Sequence, residues 1–291
     1  MSPDRRFRRL GLVVHPQRPL DQALATIRAW ADIHCDEVVQ VRIDGQTREV
    51  APAGDPAACD LIIALGGDGT TLAALHAAAP GGRPVLGVAC GSLGALTATS
   101  ASQLEDALAD VAQDRWTGRM LPGLEVTGAG GAVHGAINDL VVLRRGASQV
   151  IVGVEVDGEP YVRFAGDGVV VATPLGSSAY TMAAGGPILS PGSRAYVVTP
   201  LAPHGGCSPP LVVDAGSRVR LSVEPGWGGA RVELDGQVLD LESRELEIGW
   251  RPELATLVAF PGGEGPLTGL RRRRILLDSP RVLARDDRAA R

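Results

Sequence analysis

A glycine-rich stretch that directly follows an apolar run is the part of this 291-residue chain best suited to chemistry. The apolar run spans residues 61–65, and after it come Gly66, Gly67, Asp68, Gly69 and Thr70. A strand, a glycine loop and a helix in succession bind phosphate, because the loop N–H groups reach the oxygens and the helix N-terminus adds partial positive charge.

Asp68 needs its own explanation in such a loop, because its carboxylate would repel a bare phosphate. The residue fits if it holds Mg²⁺ or removes a proton from an attacking hydroxyl. The alternative is a tight turn in which Asp68 caps the helix. Two glycines before the aspartate and one after it exceed what a cap requires, so the motif favours a functional role.

A second feature is a polar pair inside an apolar run in the second half of the chain. Asn138 and Asp139 interrupt the run at residues 136–142, where a strand is expected. A carboxylate accepts two hydroxyl donors side by side, so Asp139 with Asn138 beside it is suited to a ribose diol. A strand end or a bulge explains the same pattern equally well, and the residues alone leave both explanations open.

A third feature combines small hydroxyl residues and glycines around a predicted strand. Asp167 stands between two glycines before this strand, and residues 173–180 follow it and end in Ser178, Ala179 and Tyr180. Such residues offer hydroxyl and backbone donors in little space, as a nucleotide pocket requires. Tyr180 either covers a ring of the ligand or fills the core.

Several catalytic classes are excluded by what the chain lacks. All 28 basic residues are arginine, and the absence of lysine excludes a Walker-type phosphate loop and lysine Schiff-base chemistry. A dinucleotide-binding fingerprint that includes Gly67 would need glycine at position 72, which is Leu72. The four cysteines form no C-x-x-C pair and the histidines have no metal spacing, so zinc and iron–sulfur ligation are not expected.

The distribution of charge argues against nucleic acid and membrane as partners. The net charge is −5, but residues 10–270 carry 16 basic and 29 acidic side chains, a net charge of −13. A nucleic-acid-binding protein needs a basic face on its folded part.

Other features of the sequence bear on the membrane and on the cell compartment. No apolar run approaches the ~20 residues that cross a bilayer. The cysteines are expected to be reduced thiols in a cytoplasmic protein. Arg271–Arg274 are expected in a solvated tail, with a grip on a phosphate or a partner as the alternative.

The elements that must position these motifs differ between the two halves of the chain. In residues 1–122, short apolar runs alternate with helix-like stretches, which predicts an α/β domain with an open, mostly parallel sheet. The strands are expected at 10–14, 37–43, 60–65 and 84–88, and the helices at 20–33, 71–79 and 102–111. Ser102 and Glu105 are expected to form a capping box at the start of the last helix.

The remainder of the chain predicts an all-β domain over residues 123–261. Its apolar runs are short and β-branched, and turn signals such as Asp157-Gly158 and Asp235-Gly236 separate them. The tail at 262–291 is too short for a domain of its own and could pack back on the first one.

Taken together and in this order, the three features resemble those of the NAD kinase family over about residues 10–260. Diacylglycerol, sphingosine and phosphofructokinase relatives carry similar glycine loops, but the combination of all three features is specific. The resemblance implies an α/β domain plus an all-β domain and transfer of a phosphoryl group from ATP, or sometimes polyphosphate, to the 2′-hydroxyl of the adenosine ribose of NAD. ATP and Mg²⁺ or another divalent cation are the expected cofactors, and a homodimer or homotetramer is the expected assembly.

The resemblance also implies roles for single residues. Asp68 would be the essential carboxylate near the accepting hydroxyl and the protein ligand of the cation. The residues that would face phosphates are Gly66, Gly67, Gly69 and Thr70. The residues that would contact NAD are Asn138, Asp139, Asp167, Ser178, Ala179 and Tyr180.

Some positions depart from the family pattern. Ala89 stands where the family usually has Asn, Ala95 where it has Phe, and Ala183 where it has Ser. A short loop ending in Pro209 replaces a longer hydroxyl and aromatic pattern. These changes remove groups near the expected dinucleotide, so kinase chemistry is better supported than NAD as the acceptor. A kinase for another nucleoside or small hydroxyl compound, and a non-catalytic nucleotide-binding regulator, are the alternatives.

Overall fold

The computed structural model describes residues 6–43, 45, 47–239 and 244–289, and these form two compact units. The first unit contains the described residues of Met1–Arg119 and Leu257–Arg291, and the second is Met120–Thr256. The tail that follows the second unit therefore belongs to the first. In the described ranges, no helix has the length and apolar character needed to cross a membrane.

The first unit is built on a parallel sheet. Its strands are β1 (Phe7–Val14), β2 (Cys35–Gln40), β3 (Leu61–Gly66), β4 (Pro84–Ala89) and β5 (Thr99–Ser100). They pair in the order β2-β1-β3-β4, with β5 beside β4, and every one of these pairs is parallel. All six residues of β3 are buried, as expected for a parallel strand covered on both faces. The predicted α/β domain with an open parallel sheet is confirmed.

Helices follow the strands of the first unit. The helices of the chain are α1 (Asp21–His34), α2 (Asp68–Ala78), α3 (Leu104–Ala112), α4 (Tyr180–Ala183), α5 (Pro266–Arg272) and α6 (Pro280–Ala289), of which α4 lies in the second unit. In α1 the buried residues are Ala23, Leu24, Ile27 and Ala31. Their helical spacing gives α1 one apolar face, which joins the core of the parallel sheet.

One expectation about local structure in this unit is wrong, and another needs an addition. Ser102 does not cap α3, because the helix begins only at Leu104, and the Ser102 hydroxyl lies 2.9 Å from that of Ser100. Arg271, Arg272 and Arg274 are exposed, as expected of a solvated tail, but two of them also make contacts. Arg271 pairs with Asp278, and Arg272 contacts the loop after β4.

The second unit is built of antiparallel sheets, and the predicted all-β domain is confirmed. Its strands are β6 (Thr117–Gly128), β7 (Val133–Ala136), β8 (Asp139–Arg144), β9 (Val150–Val156), β10 (Glu159–Gly166), β11 (Gly168–Ala172), β12 (Ala195–Leu201), β13 (Leu211–Asp214), β14 (Val219–Pro225), β15 (Ala230–Leu234), β16 (Gln237–Leu239) and β17 (Glu245–Ala259). One sheet contains β10-β9-β14-β17 with β6 and β7, and the other has the order β13-β12-β11-β8-β15-β16. Side chains from both sheets share one apolar core.

Both predicted hairpin turns are present. Asp157-Gly158 joins β9 to β10, and Asp235-Gly236 joins β15 to β16. In each turn both residues have positive φ, 51° and 84° in the first and 51° and 80° in the second. Two positive φ values in a row match the right-handed twist of the flanking strands, which is why Asp-Gly marks such turns in a sequence.

Candidate functional site

Residues 66–70, which we call the first glycine loop, form a closed turn where β3 ends and α2 begins. Gly67 precedes the helix, and its carbonyl oxygen accepts hydrogen bonds from the Thr71 N–H at 3.0 Å and the Thr71 hydroxyl at 3.1 Å. A Cβ at Gly66 would lie 2.2 Å from the Thr70 hydroxyl oxygen, so only glycine fits there. At Gly67 and Gly69, by contrast, an added Cβ would have no other atom within 4 Å. The loop therefore leaves room for a ligand at these two glycines.

Asp68 is the first residue of α2, and its carboxylate reaches another loop. One oxygen accepts a hydrogen bond from the Ala95 N–H at 2.8 Å, and the other accepts one from the Leu96 N–H at 2.8 Å. The helix has no side-chain cap. The alternative in which Asp68 serves only as a cap is therefore wrong, and the side chain instead joins two loops.

The loop that Asp68 holds follows β4 and comprises residues 90–96; we call it the second glycine loop. Its Cys90 N–H donates to the Gly66 carbonyl at 2.7 Å, and its Gly94 N–H donates to the Thr97 hydroxyl at 2.7 Å. A Cβ at Gly94 would lie 1.9 Å from a carboxylate oxygen of Asp68. Both glycine loops therefore meet at the carboxyl ends of adjacent parallel strands, where open α/β sheets bind ligands.

In the second unit, the polar pair lies at a break between two strands. β7 ends at Ala136 and β8 begins at Asp139, so Asn138 occupies the break. The Asp235 carboxylate accepts hydrogen bonds from the N–H groups of Ile137 at 2.7 Å, Asn138 at 2.7 Å and Asp139 at 2.9 Å. Asp235 thus holds the backbone of the pair, although it comes almost a hundred residues later. The sequence predicts Asp235 as part of a hairpin turn, and the family resemblance matches the same Asp-Gly pair to a late turn of the family, but neither indicates these hydrogen bonds.

The carboxyl of Asp139 is in an unusual environment. It is only 7% exposed. Burial raises its pKa to about 7, and the negative charges of Asp235 and Glu233 act in the same direction. A carboxyl that changes its charge near neutral pH, at a strand break, is a candidate for ligand binding.

The segment after β11 packs on the same strand break. Thr173 donates its hydroxyl to the Ile137 carbonyl at 2.7 Å and its N–H to the Asn138 carbonyl at 2.9 Å. A Cβ at Gly176 would lie 2.1 Å from that Asn138 oxygen, so glycine allows the close approach. Asn138, Asp139 and the Thr173–Gly176 turn therefore form one cluster.

The predicted contact residues at the end of this segment differ in exposure. Ser178 is half-buried, with its hydroxyl donating to the Leu175 carbonyl at 3.1 Å. Ala179 is exposed, and Tyr180 is 39% exposed. Tyr180 does not fill the core, so its ring is accessible to a ligand.

Asp167 lies apart from the other predicted residues of this unit. The antiparallel register places Gly168 opposite Leu143 and Ala172 opposite Asp139. Asp167 precedes β11 and pairs with Arg144, whereas the Asn138–Asp139 cluster lies at the other end of that strand. At ~3.3 Å per residue, the strand separates the two by ~16 Å.

The departures from the family pattern fall at identifiable places. Ala89 ends β4 directly opposite Gly66 and is 1% exposed. Ala95 carries one of the two N–H groups that hold Asp68. Ala183 ends α4 and is exposed, and Pro209 accepts a hydrogen bond from Tyr161 at 2.9 Å. Ala89 therefore borders the glycine loops of the first unit, and Ala95 lies within the second of them.

Among the described residues, few side chains are placed to hold a resident metal. Within the described ranges, no group of three or more His, Cys, Asp or Glu side chains is placed to hold a metal ion. Mg²⁺ commonly needs only one or two carboxylates when substrate phosphates and water complete its shell. Asp68 uses two of about four lone-pair sites on its oxygens, so it fits a cation that enters with a nucleotide.

Comparison with known proteins gives matches along most of the chain. The model of the ATP-NAD kinase N-terminal domain matches residues 9–116, and that of the ATP-NAD kinase C-terminal domain matches residues 137–245. NAD kinase 1 of Streptomyces avermitilis is 34% identical, over 97% of this chain and 91% of the relative. The NAD kinase of Koribacter versatilis is 32% identical, over 79% of this chain and 84% of the relative.

Solved structures share the fold. The crystal structure of yeast NADH kinase complexed with NADH has a TM-score of 0.78 at 21% identity, covering 96% of this chain and 93% of that one. An NAD kinase from Archaeoglobus fulgidus in complex with ATP has a TM-score of 0.73 at 25% identity, covering 92% of this chain and all of that one. At 21% identity, the likeness to the yeast protein shows the fold alone.

Proposed function

This chain belongs to the NAD kinase family, and from that premise we propose that it transfers the γ-phosphoryl group of ATP to the 2′-hydroxyl of the adenosine ribose of NAD. The products are NADP and ADP. The observation that carries the proposal is the pair of glycine loops joined through the Asp68 carboxylate at the carboxyl edge of the parallel sheet. That arrangement combines room for phosphates with a fixed acceptor of hydrogen bonds.

Asp68 acts on the accepting hydroxyl. Two backbone N–H groups fix the orientation of its carboxylate, and its remaining lone pairs can accept the hydroxyl proton. As the hydroxyl oxygen bonds to the γ-phosphorus, its proton passes to the carboxylate and the bond to ADP breaks. General-base help of this kind contributes roughly 10²–10⁴-fold in rate.

The first glycine loop binds the transferring phosphates. Gly67 and Gly69 leave space for phosphate oxygens, and the N-terminus of α2 provides N–H groups and partial positive charge. Gly66 and Thr70 lie so close together that the turn stays closed below these phosphates. We infer that this charge replaces the lysine that other phosphate loops use.

The second unit recognises the acceptor. Asp139, ionised, accepts two hydroxyl donors from a ribose of NAD, and Asn138 contacts the same sugar. Ser178, Ala179 and Tyr180 contact the dinucleotide, with the exposed Tyr180 ring available for stacking. A role for Asp167 in acceptor binding stays a prediction from the family motif, because its carboxylate pairs with Arg144 at the far end of β11.

Asp68 would hold a divalent cation such as Mg²⁺ that accompanies ATP, and the cation would supply neutralisation of phosphate charge. A homodimer or homotetramer and a cytoplasmic location complete the proposal; they follow from the family resemblance and the sequence, respectively.

The test is direct. Purified protein is incubated with ATP, MgCl₂ and NAD, and NADP is measured with an NADP-specific dehydrogenase. NADP that forms only when both nucleotides are present supports the proposal. No NADP at millimolar NAD and ATP, from protein shown to be folded by circular dichroism, contradicts it.

A second candidate is a kinase of this fold that uses another hydroxyl acceptor. It is favoured by alanine at positions 89 and 95, beside the glycine loops, where the family usually has larger groups. ADP release from ATP can be followed with a panel of nucleosides and small alcohols. A compound phosphorylated at a higher kcat/KM than NAD would establish this candidate.

A further inference from the structure

An arginine from the C-terminal segment holds the second glycine loop. Arg272 is the last residue of α5, and its Nη2 donates to the Leu93 carbonyl oxygen at 3.0 Å. Its Nε lies 3.0 and 2.9 Å from the two carboxylate oxygens of Glu264. Glu264 therefore binds the guanidinium at Nε while Nη2 contacts the loop.

This contact lies close along the backbone to the groups that hold Asp68. Leu93 is followed by Gly94, and then by Ala95 and Leu96, whose N–H groups donate to the Asp68 carboxylate. Gly94 leaves no spare room, since even a Cβ there would lie 1.9 Å from that carboxylate. A shift of the Leu93 carbonyl is therefore transmitted to the Asp68 side chain.

We propose that Arg272 is a positioning residue for phosphoryl transfer, which fixes the second glycine loop so that its amides hold the Asp68 carboxylate in place. The proposal rests on the proposed kinase function. It assigns a role to the arginine-rich C-terminal segment, whose Arg272 comes 179 residues after the loop it contacts. The planar fork of arginine is what allows one side chain to serve a carboxylate and a carbonyl at once.

The neighbouring arginine provides a matched control. Arg271 lies on the same helix, but both of its Nη atoms bond to Asp278. We expect Arg272→Gln to lower kcat about ten- to a hundredfold, because small misplacements of catalytic groups cost that much. Arg271→Gln should remain within about twofold of the wild type. An unchanged kcat in Arg272→Gln, or an equal fall in both variants, would overturn the proposal.

A conservative variant shows whether the shape of the Arg272 guanidinium or only its positive charge is needed. Arg272→Lys keeps the positive charge beside the second glycine loop but loses the fork. We expect its kcat to stay near that of Arg272→Gln. Recovery of the wild-type kcat in Arg272→Lys would mean that charge alone matters, and the positioning role would be wrong.

Hydrogen exchange tests the contact without any activity measurement. Peptides that cover residues 91–97 should exchange faster in Arg272→Gln than in the wild type, with no change in Arg271→Gln. Unchanged exchange overturns the positioning role whatever the kinetics show. If Arg272→Gln exchanges faster but the wild-type protein forms no NADP, the kinase function is rejected and the loop contact is still supported.

Discussion

At the scale of single residues, Asp68 is the group on which the proposed chemistry depends. Both oxygens of its carboxylate accept a backbone N–H, and an amide side chain has only one oxygen for these two donors. Asp68→Asn should therefore lower kcat by at least roughly 10²–10⁴-fold, through loss of the base and of one loop contact. Steady-state NADP formation measures this.

The control for this substitution is Asp106→Asn, which changes an exposed carboxylate in the first turn of α3 in the same unit. It should leave kcat near the wild-type value. A folded Asp68→Asn protein with near-normal turnover would remove Asp68 from the mechanism.

Asp139 leads to a prediction about pH. Because the pKa of its carboxyl is raised to about 7, the side chain is largely protonated below that pH and ionised above it. Only the ionised form accepts hydrogen bonds from two hydroxyls without donating one. The KM for NAD should therefore fall as pH rises through about 7, while the KM for ATP changes less.

The variant Asp139→Asn cannot ionise and should flatten this pH dependence. Losing a hydrogen bond to a charged group costs about 1.5–3 kcal/mol, so NAD binding above pH 7 should weaken by roughly ten- to a hundredfold. Calorimetry with NAD and ATP separately provides the comparison. Equal weakening for both ligands, or a pH profile unchanged by the substitution, would contradict the assignment of Asp139 to the acceptor.

At the scale of elements, local patterns predicted β3, the first glycine loop and α2, because a buried strand and a glycine turn leave strong signals in sequence. The start of α2 was expected near Thr71, whereas the helix begins at Asp68. Glycine at position 69 has a low helix propensity, which hides the first turn from a pattern-based prediction. The packing of the two loops compensates for it.

The partners of functional side chains could not be predicted in the same way. Asp68 bonds to amides 27 and 28 residues later, and Asp235 bonds to amides 96 to 98 residues earlier. Backbone N–H groups carry no residue-specific signal, so only the three-dimensional arrangement reveals such contacts. The role of Arg272 escaped prediction for the same reason, since a run of arginines is usually solvated.

Gly94 provides a test at the level of the loop. A Cβ there would lie 1.9 Å from a carboxylate oxygen of Asp68, a group that two backbone N–H groups hold in place. Gly94→Ala should therefore displace the carboxylate and lower kcat about a hundredfold. The control is Gly130→Ala, where nothing lies within 4 Å of the added Cβ. Unchanged activity in Gly94→Ala would show that the close approach is not needed for turnover.

At the scale of the whole molecule, fold and acceptor preference depend on different residues. The likeness to yeast NADH kinase persists at 21% identity with a TM-score of 0.78, because the buried apolar pattern of the two units is enough to specify the architecture. Recognition of a particular acceptor depends instead on a few side chains near the ligand. We expect the alanines at positions 89, 95 and 183 to be changes of that second kind.

These alanines predict weak use of NAD by the whole protein. Each missing polar contact costs about 1 kcal/mol, and a missing aromatic contact costs a similar amount. Together they should raise the KM for NAD by one to two orders of magnitude over that of a kinase with the usual residues, at about 1.4 kcal/mol per factor of ten. The KM for ATP should be unaffected, because the first glycine loop is intact.

The double variant Ala89→Asn with Ala95→Phe tests whether the lost groups are responsible. It should lower the KM for NAD by about tenfold or more, provided that thermal unfolding shows that Asn is tolerated at the buried position 89. Ala183→Ser, at an exposed position of α4, provides a milder change for comparison. If the wild type already saturates at low micromolar NAD and the double variant gives no gain, then the alanines are neutral, and other side chains of this protein select the acceptor.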